Sequence, residues 1–242
     1  MSKLIKNKYT LPGVVFLVGL ASLLAFGMKH RHPFGTGRTI HSKLTFVAKD
    51  GSTRLLSDET KYVRSDGTWK SVQTLYNTDG TVDQTDTQVG LPDRGAAYRV
   101  DDARKLLVMT GPIFHRSHNF TMDQIIKANS DNFVRVDQVL GYPVAVVHIA
   151  GEDAEHYEEM WISPDLGETI KFLKATPLGV NINEADSITL GEPQADRFTV
   201  PTYPEYLDHA KRRAQQMEDR GEKEQAAAWR QVIAAHENKA TP

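Results

Sequence analysis

Cysteine is absent from this 242-residue sequence. Its absence excludes disulfide bonds, catalysis by a thiolate and zinc sites with cysteine ligands. It also excludes attachment of a lipid to an N-terminal cysteine. The chain must therefore hold its shape and its place in the cell by burial, hydrogen bonds and charge.

The sequence also lacks the short motifs that carry common catalytic and cofactor chemistry. It contains no Gly-x-Ser-x-Gly elbow, no His-Glu-x-x-His pair, no phosphate-binding glycine loop and no dinucleotide fingerprint. Neighbouring acids such as Glu158 and Glu159 would point to opposite faces of a strand, so they do not form a catalytic pair. We predict that the protein is not an enzyme and that it binds no cofactor.

Nine histidines raise the alternative of a metal-dependent hydrolase. His115 and His118 lie three residues apart, and Asp123 is the first acid that follows them. Metal sites need three or four converging ligands, and this segment offers few. We therefore predict no metal site here.

Charge is distributed unevenly along the chain. Residues 1–38 carry six basic groups and no acid, residues 39–203 have a net charge of −8, and the remainder is neutral. A domain this acidic, without a stripe of Lys and Arg, repels the phosphate backbone. We predict no nucleic-acid partner.

Residues 11–28 form an uncharged run of eighteen residues, long enough as a helix of about 27 Å to cross a bilayer. Three lysines precede the run and Lys29 and Arg31 follow it, so these charges alone do not set the orientation. The N-terminal amine adds one positive charge upstream and the short leader cannot form a domain, which favours an N-terminus inside the cell. We predict a leader at 1–10, a retained membrane anchor at 11–28 and a linker at 29–38. The alternative is a cleaved signal peptide, with Ala25 and Gly27 as the small residues at positions −3 and −1 of the cleavage site. The predicted membrane-spanning positions include Leu11, Val15, Leu20, Leu24 and Met28.

Residues 39–203 contain short segments of alternating apolar and polar residues separated by Asp-Gly turns. This pattern predicts an antiparallel meander of strands. The sequence Thr121-Met122-Asp123-Gln124 has the form of a capping box and predicts a short helix near residues 122–129. Strands are predicted at residues 39–48, 54–64, 68–76, 81–88, 95–100, 105–109, 133–140, 143–150, 156–163, 169–175 and 187–190.

The predicted fold class is mainly β (α+β). We expect a curled antiparallel sheet or unclosed β-barrel of about eight to eleven strands, with short helices packed on it. Residues 143–150 are apolar at successive positions, so this strand should be buried on both faces. The candidates for an apolar cavity or a packed core are Leu44, Phe46, Trp69, Leu75, Val144, Val146 and Trp161.

The C-terminal residues 204–242 differ in composition from the β-rich domain at 39–203. Residues 205–220 and 222–237 are rich in Ala, Glu, Lys, Arg and Gln, and Gly221 separates them. The composition predicts a helical hairpin with one apolar stripe on each helix. We expect the hairpin either to dock on its own sheet or to pair with a neighbour.

Several turn and strand motifs resemble those of a known superfamily. They are Leu140-Gly141-Tyr142, the turn Trp161-Ile162-Ser163-Pro164-Asp165-Leu166-Gly167, and Glu192-Pro193 followed by Phe198-x-Val200-Pro201. Their order is similar to that of bacterial envelope proteins related to the lipoprotein-carrier superfamily of LolA, LolB and RseB. The resemblance implies an unclosed β-barrel over an apolar cavity. Lacking an N-terminal cysteine, this chain departs from the lipid-anchored LolB type.

These observations predict a membrane-anchored envelope module that binds acyl chains or an apolar peptide in the cavity of a curled sheet. Its expected partners are membrane lipid and a hydrophobic ligand or an envelope protein. The expected location is the bacterial inner membrane, with the domain in the periplasm, or the periplasm itself if the segment is cleaved. The alternative function is a sensor or assembly partner that acts through the C-terminal helices.

Overall fold

The computed structural model of the protein describes residues 36–113 and 120–238. The predicted anchor at 11–28, with Leu11, Val15, Leu20, Leu24 and Met28, lies outside these residues, as do His115 and His118. Within the two described ranges, each helix is too short or too polar to cross a bilayer.

Twelve strands form one sheet in the described part of the chain. Its order is β12-β6-β5-β4-β3-β2-β1-β11-β10-β9-β8-β7, so β12 and β7 are the two edges and the sheet is not closed. Neighbours run antiparallel except β12, which pairs in parallel with β6. The strands are β1 (Arg38–Ala48), β2 (Thr53–Val63), β3 (Trp69–Tyr76), β4 (Val82–Leu91), β5 (Ala96–Asp101), β6 (Leu106–Pro112), β7 (Phe133–Val139), β8 (Tyr142–Ala150), β9 (Tyr157–Ser163), β10 (Glu168–Thr176), β11 (Gly179–Leu190) and β12 (Glu205–Tyr206).

Tight turns join most of the consecutive strands, as the sequence predicts, whereas longer segments join β6 to β7 and β11 to β12. The Asp-Gly turn between β1 and β2 places Gly51 at φ 84°, a left-handed conformation that glycine adopts without strain. Leu140 and Gly141 link β7 to β8 with φ of 51° and 83°. Two successive positive φ angles define the type I′ hairpin turn, whose twist matches that of the flanking strands.

The predicted capping box is confirmed at the start of helix α1 (Met122–Ala128). The Thr121 hydroxyl accepts a hydrogen bond from the Gln124 backbone N–H, and the Gln124 side chain accepts one from the Thr121 N–H. Strand β8, against which α1 packs, is buried on both faces as predicted. Four successive residues of β8 are 0–1% exposed, namely Val144, Ala145, Val146 and Val147.

The C-terminal hairpin consists of α2 (Asp208–Asp219) and α3 (Lys223–Glu237) and docks on its own sheet. Its apolar stripes pack against β4, β5 and β6, where Val89 and Tyr98 are at most 2% exposed. These two side chains lie on one face of the sheet, because Val89 and Tyr98 are directly paired. The helical residues in this core are Ala210, Ala214, Met217, Ala226, Trp229 and Ile233.

A buried histidine fixes the end of α3 to the sheet. One ring nitrogen of His236, Nδ1, lies 2.6 Å from a carboxylate oxygen of Glu205, and the other, Nε2, lies 2.9 Å from the backbone oxygen of Arg94. The side chain of His236 is only 4% exposed. The hairpin is therefore joined to β12 and to the β4–β5 turn by polar contacts as well as by its apolar stripes.

Three sequence expectations about the elements are wrong. The first helix of the hairpin starts at Asp208, because Glu205 and Tyr206 pair with Leu107 and Val108 of β6. Strand β11 starts at Gly179 and not at residue 187, and its first half already alternates, with Val180 and Ile182 apolar and Asn181 and Asn183 polar. With β12 added, the described sheet has twelve strands, more than the eight to eleven expected.

Candidate functional site

A cavity of about 260 Å³ lies at the centre of the sheet, over β1 to β4, β10 and β11. Its lining is mixed, whereas the sequence led us to expect an apolar cavity. The period of two along β2 and β3 places Glu59, Ser71 and Gln73 on the same face as Trp69. The lining residues are Ile40, Ser42, Glu59, Lys61, Trp69, Ser71, Gln73, Gln88, Glu168, Thr169, Ile170, Phe172, Asn183 and Ala185.

The face of the sheet that carries the cavity is concave. Lys61 on β2 and Glu168 on β10 are separated by two strands, β1 and β11. In a flat sheet these strands would lie about 14 Å apart, at about 4.8 Å per interval. The Lys61 Nζ atom lies 2.7 Å from a carboxylate oxygen of Glu168, a contact that these two long side chains reach when both extend over the face. Gln88 on β4 and Phe172 on β10 line the same cavity of about 260 Å³, although their strands, five intervals apart, would lie about 24 Å apart in a flat sheet. The sheet therefore curls around the cavity, and we call this the concave face.

A buried ion cluster closes one side of the cavity and consists of Arg38, Lys61 and Glu168. The Glu168 carboxylate receives hydrogen bonds from the Arg38 guanidinium and from Lys61, one on each oxygen. The Arg38 side chain is 2% exposed, that of Glu168 15% and that of Lys61 33%. Burial opposes ionisation of Glu168, but the charges of Lys61 and Arg38 outweigh it and lower its pKa to about 2. Glu168 is therefore ionised at neutral pH, and it forms ion pairs with both cations.

Uncharged hydrogen-bonding groups make up much of the remaining polar lining. The Gln73 amide donates to the Ser57 hydroxyl at 2.9 Å, and the Gln88 amide donates to Asp86 at 3.1 Å. Each amide keeps a carbonyl oxygen that accepts no hydrogen bond from the described residues. Asn183 forms no side-chain hydrogen bond within the described part of the chain. These groups have capacity left for a ligand.

Glu59 is the acid in the lining that has no cationic partner among the described residues. Its carboxylate accepts a short hydrogen bond from the Ser71 hydroxyl. Ser71 is 8% exposed and lies on the adjacent strand β3. Glu59 therefore adds one negative charge to the cavity, and the ion cluster of two cations and one carboxylate has a net charge of +1, so these groups sum to zero.

Trp69 and Phe172 supply aromatic walls. The Trp69 indole lies directly over Gly90 of β4, where a Cβ atom would come within 2.0 Å of the indole nitrogen. The absence of a side chain at Gly90 therefore lets the ring lie against the sheet. The Lys61 ammonium group lies 5.9 Å from the centre of the Trp69 ring, within the range of a cation–π contact.

The structure divides the residues predicted to form a cavity or a core into two groups. Leu44, Phe46, Trp69 and Leu75 lie on the concave face, and Trp69 lines the cavity itself. The other three, Val144, Val146 and Trp161, are buried in a packed cluster next to the cavity. Ile40, Ile170 and Ala185 belong to both the cluster and the cavity lining.

Sequence reasoning missed the ion cluster. Arg38 was assigned to the linker at 29–38, although it is the first residue of β1 and is buried. Glu168 follows a predicted turn and carries no motif, and 130 positions separate it from Arg38 in the sequence. The alternation on β2 and β3 could have indicated the polar face, since Glu59, Lys61, Ser71 and Gln73 recur at every second position.

Asp123, a proposed metal ligand, lies in the first turn of α1. Among the described residues, no group of three or more His, Asp or Glu side chains is arranged to hold a metal ion. The arrangement at the concave face is therefore that of a pocket with hydrogen-bonding groups, aromatic walls and a buried ion cluster.

No model of a known protein family matches the sequence, and no curated protein matches it. Among solved structures, PNGF-II is 14% identical with a TM-score of 0.40, and the similarity covers 71% of this chain and 31% of PNGF-II. The chain thus spans about a third of the length of PNGF-II.

Two further solved structures belong to the class that the sequence resemblance predicts. A LolA superfamily protein from Nitrosomonas europaea is 9% identical with a TM-score of 0.33, over 74% of this chain and 97% of that one. A protein described as an outer membrane lipoprotein-sorting domain, from Vibrio parahaemolyticus, is 11% identical with a TM-score of 0.25, over 76% and 95% of the two chains. The predicted resemblance is confirmed in that such proteins are among the similar structures. Because these TM-scores lie below 0.5, we base the function on the geometry of the concave face.

Proposed function

We propose that this chain is a binding module of the cell envelope that holds an amphipathic, lipid-class ligand on the concave face of its curled sheet. The observation that carries the proposal is the mixed lining of the central cavity, in which hydrogen-bonding side chains and aromatic walls face the same space. Binding sites for small molecules combine apolar walls with polar groups that fix the orientation of the ligand. Nine of the fourteen lining residues are polar or charged, so the cavity itself suits the polar portion of an amphipathic ligand.

The apolar part of the ligand would lie along β1 and β3. Leu44 and Phe46 continue the face of β1 that carries Ile40, and Leu75 continues the face of β3 that carries Trp69. These side chains are half-buried, so they still offer apolar surface to a ligand. Burial of that surface would contribute about 25 cal/mol for each Å² removed from water.

The size of the cavity limits how much of the ligand it can enclose. At about 260 Å³ it falls just below the range of about 300–1,000 Å³ typical of sites for drug-sized molecules. A complete long-chain lipid would not fit. The cavity would instead enclose the polar portion and the first part of the chain, while the rest of the chain lies on the concave face.

We retain the predicted anchor as part of this proposal. If residues 11–28 stay in the membrane with the N-terminus inside, the nine residues 29–37 separate them from Arg38, the first residue of β1. A fully extended segment of this length spans at most about 32 Å. The concave face would then remain close to the bilayer, where a lipid-class ligand is found.

Quenching of tryptophan fluorescence by an amphiphile with a brominated alkyl chain tests the proposal. The chain has three tryptophans, of which Trp69 lines the cavity and Trp229 lies under the C-terminal hairpin. The full-length protein held in amphipol should show saturable quenching. Trp69→Phe should remove most of it, and the matched variant Trp229→Phe should retain it.

Two results would contradict the proposal. One is quenching that rises linearly with amphiphile and never saturates, since this indicates non-specific partitioning. The other is saturable quenching of equal size in the wild type and in Trp69→Phe, which would place the ligand elsewhere.

The alternative prediction, contact with an envelope partner through the C-terminal helices, has no comparable support. The apolar stripes of α2 and α3 pack on the sheet, where Ala210, Ala214 and Ala226 are at most 2% exposed. The outward surface of the hairpin is mainly polar. It offers no apolar patch that would specify a partner.

A further inference from the structure

We infer that the polar portion of the ligand is an uncharged, polyhydroxylated group of the size of a sugar ring. This inference rests on the proposed function, because it concerns the ligand of the same cavity. It follows from three properties of the lining: the charges that remain available, the kind of hydrogen-bonding groups and the placement of the aromatic walls.

The charge distribution disfavours a phosphate or carboxylate headgroup. Lys61, which lines the cavity, and Arg38 beside it are both bound to Glu168. The two cations and the two carboxylates, Glu168 and Glu59, sum to a net charge of zero, so the site offers no excess positive charge to an anion. An anionic ligand at Lys61 would compete with Glu168 for the ammonium group and would meet the negative charge of Glu59. An uncharged ligand incurs neither cost.

The hydrogen-bonding groups are those that recognise hydroxyls. A hydroxyl donates one hydrogen bond and accepts others, and an amide side chain offers both a carbonyl acceptor and N–H donors. Gln73, Gln88 and Asn183 present three such amides to the cavity. The Glu59 carboxylate adds a charged acceptor, which binds a donating hydroxyl more strongly than a neutral acceptor does. Several hydroxyls on one ligand would satisfy these groups together.

The aromatic walls suit the apolar face of a ring. The Trp69 ring lies against Gly90 of β4, where no side chain obstructs it. Phe172 lines the same cavity from β10. A sugar ring has C–H groups on its faces and hydroxyls around its edge. It could therefore stack on Trp69 while its hydroxyls reach the amides and Glu59.

Such a group could belong to a glycolipid or to a soluble saccharide. Isothermal titration calorimetry on the full-length protein in amphipol distinguishes the two. The probes are octyl glucoside and octyl phosphate, both kept below their critical micelle concentrations, and methyl glucoside. We expect octyl glucoside to bind about tenfold or more tightly than octyl phosphate. A glycolipid site binds octyl glucoside more tightly than methyl glucoside, whereas a site for a soluble saccharide binds both equally.

The variant Glu59→Gln tests the role of the free charge. Loss of a hydrogen bond to a charged acceptor should weaken binding of octyl glucoside about tenfold or more, and the preference over octyl phosphate should shrink. Glu155→Gln is the matched control, because Glu155 is an exposed acid paired with Lys49 outside the cavity. It should change neither affinity. Equal thermal unfolding of both variants and the wild type shows that the fold is retained.

The outcomes separate this inference from the proposed function. Octyl phosphate binding as tightly as octyl glucoside, or more tightly, overturns the sugar headgroup and leaves the amphiphile site intact. An unchanged affinity for octyl glucoside in Glu59→Gln also overturns it. Equal affinity for methyl glucoside and octyl glucoside supports the hydroxyl chemistry and overturns the lipid-class proposal. Failure of all three probes overturns both.

Discussion

Replacing Glu168 by Gln would remove the only negative charge of the buried ion cluster while keeping the size of the side chain. Glu168 holds the Arg38 guanidinium and the Lys61 ammonium group together across the concave face. In the variant, Arg38 would remain 2% exposed with no counter-charge. The Arg38 Nε–H already has no hydrogen-bond partner among the described residues, so the guanidinium has little other compensation.

Two estimates of the free energy of unfolding that Glu168→Gln would lose agree. The pKa of Glu168 falls from 4.5 to about 2 in the folded protein, which corresponds to about 3 kcal/mol of stabilisation at neutral pH. Removing one partner of a buried ion pair generally costs about 3–5 kcal/mol. We expect the lower end of that range, because Lys61 is 33% exposed and can return to solvent. Glu168→Gln should therefore lower the free energy of unfolding by about 3 kcal/mol at pH 7.

The pH dependence has a definite sign. The folded state lowers the pKa of Glu168, so its contribution is complete above pH 4.5, the pKa of the unfolded chain, and is lost as the pH falls towards 2. A protonated Glu168 resembles glutamine in charge. The difference between the wild type and Glu168→Gln should therefore stay constant from pH 7 to about 5 and shrink below that.

Urea unfolding of the full-length protein in mild detergent, followed by tryptophan fluorescence at several pH values, measures this difference. Glu155→Gln is the control, since the ion pair of Glu155 with Lys49 is more than half exposed on both sides and should contribute at most about 1 kcal/mol. A loss below about 1 kcal/mol for Glu168→Gln at pH 7 would refute the reasoning. So would a difference that does not change between pH 7 and 3.

Three further substitutions test the fold around the site. Trp229→Ala should lower the free energy of unfolding by about 3–5 kcal/mol and expose the hairpin to limited proteolysis near residue 204; an unchanged cleavage pattern would contradict its docking role. Gly90→Ala should displace Trp69 and lower the free energy of unfolding by about 1–3 kcal/mol. It should also abolish quenching by the brominated amphiphile, so retained quenching would show that the ring does not need this contact. Leu140→Asn should raise the stability by about 1 kcal/mol in urea unfolding, because Asn adopts the left-handed conformation of Leu140 at lower cost; a loss of stability would mean that the leucine side chain matters more than its backbone.

Much of the fold could be predicted from local patterns. Asp-Gly turns and a period of two gave most of the strands, because turn geometry and the alternation of side chains act over only a few residues. The capping box of α1 depends on Thr121 and Gln124 alone, so it was visible in the sequence. The burial of β8 on both faces followed from its unbroken apolar run.

The candidate site was predicted only in part. Trp69 was a candidate for either an apolar cavity or a packed core, and it lies in the lining of the cavity. Its polar neighbours were passed over because an apolar cavity was expected. The first half of β11 was missed even though Val180 and Ile182 alternate with Asn181 and Asn183. Asn183 lines the cavity. Local pattern rules assign such a polar residue to solvent, whereas here it faces a pocket.

What the sequence determined by itself is the absence of cysteine chemistry, the uncharged segment at 11–28, the mainly β composition and the existence of a C-terminal hairpin. The tertiary structure alone decided the curvature that brings Gln88 and Phe172 to one cavity, the burial of Arg38 and the face on which the hairpin docks. The physical reason is the separation along the chain of the residues that interact. Turns and strand periods arise from neighbours in the chain, whereas a cavity arises where side chains more than a hundred residues apart meet across a curled sheet.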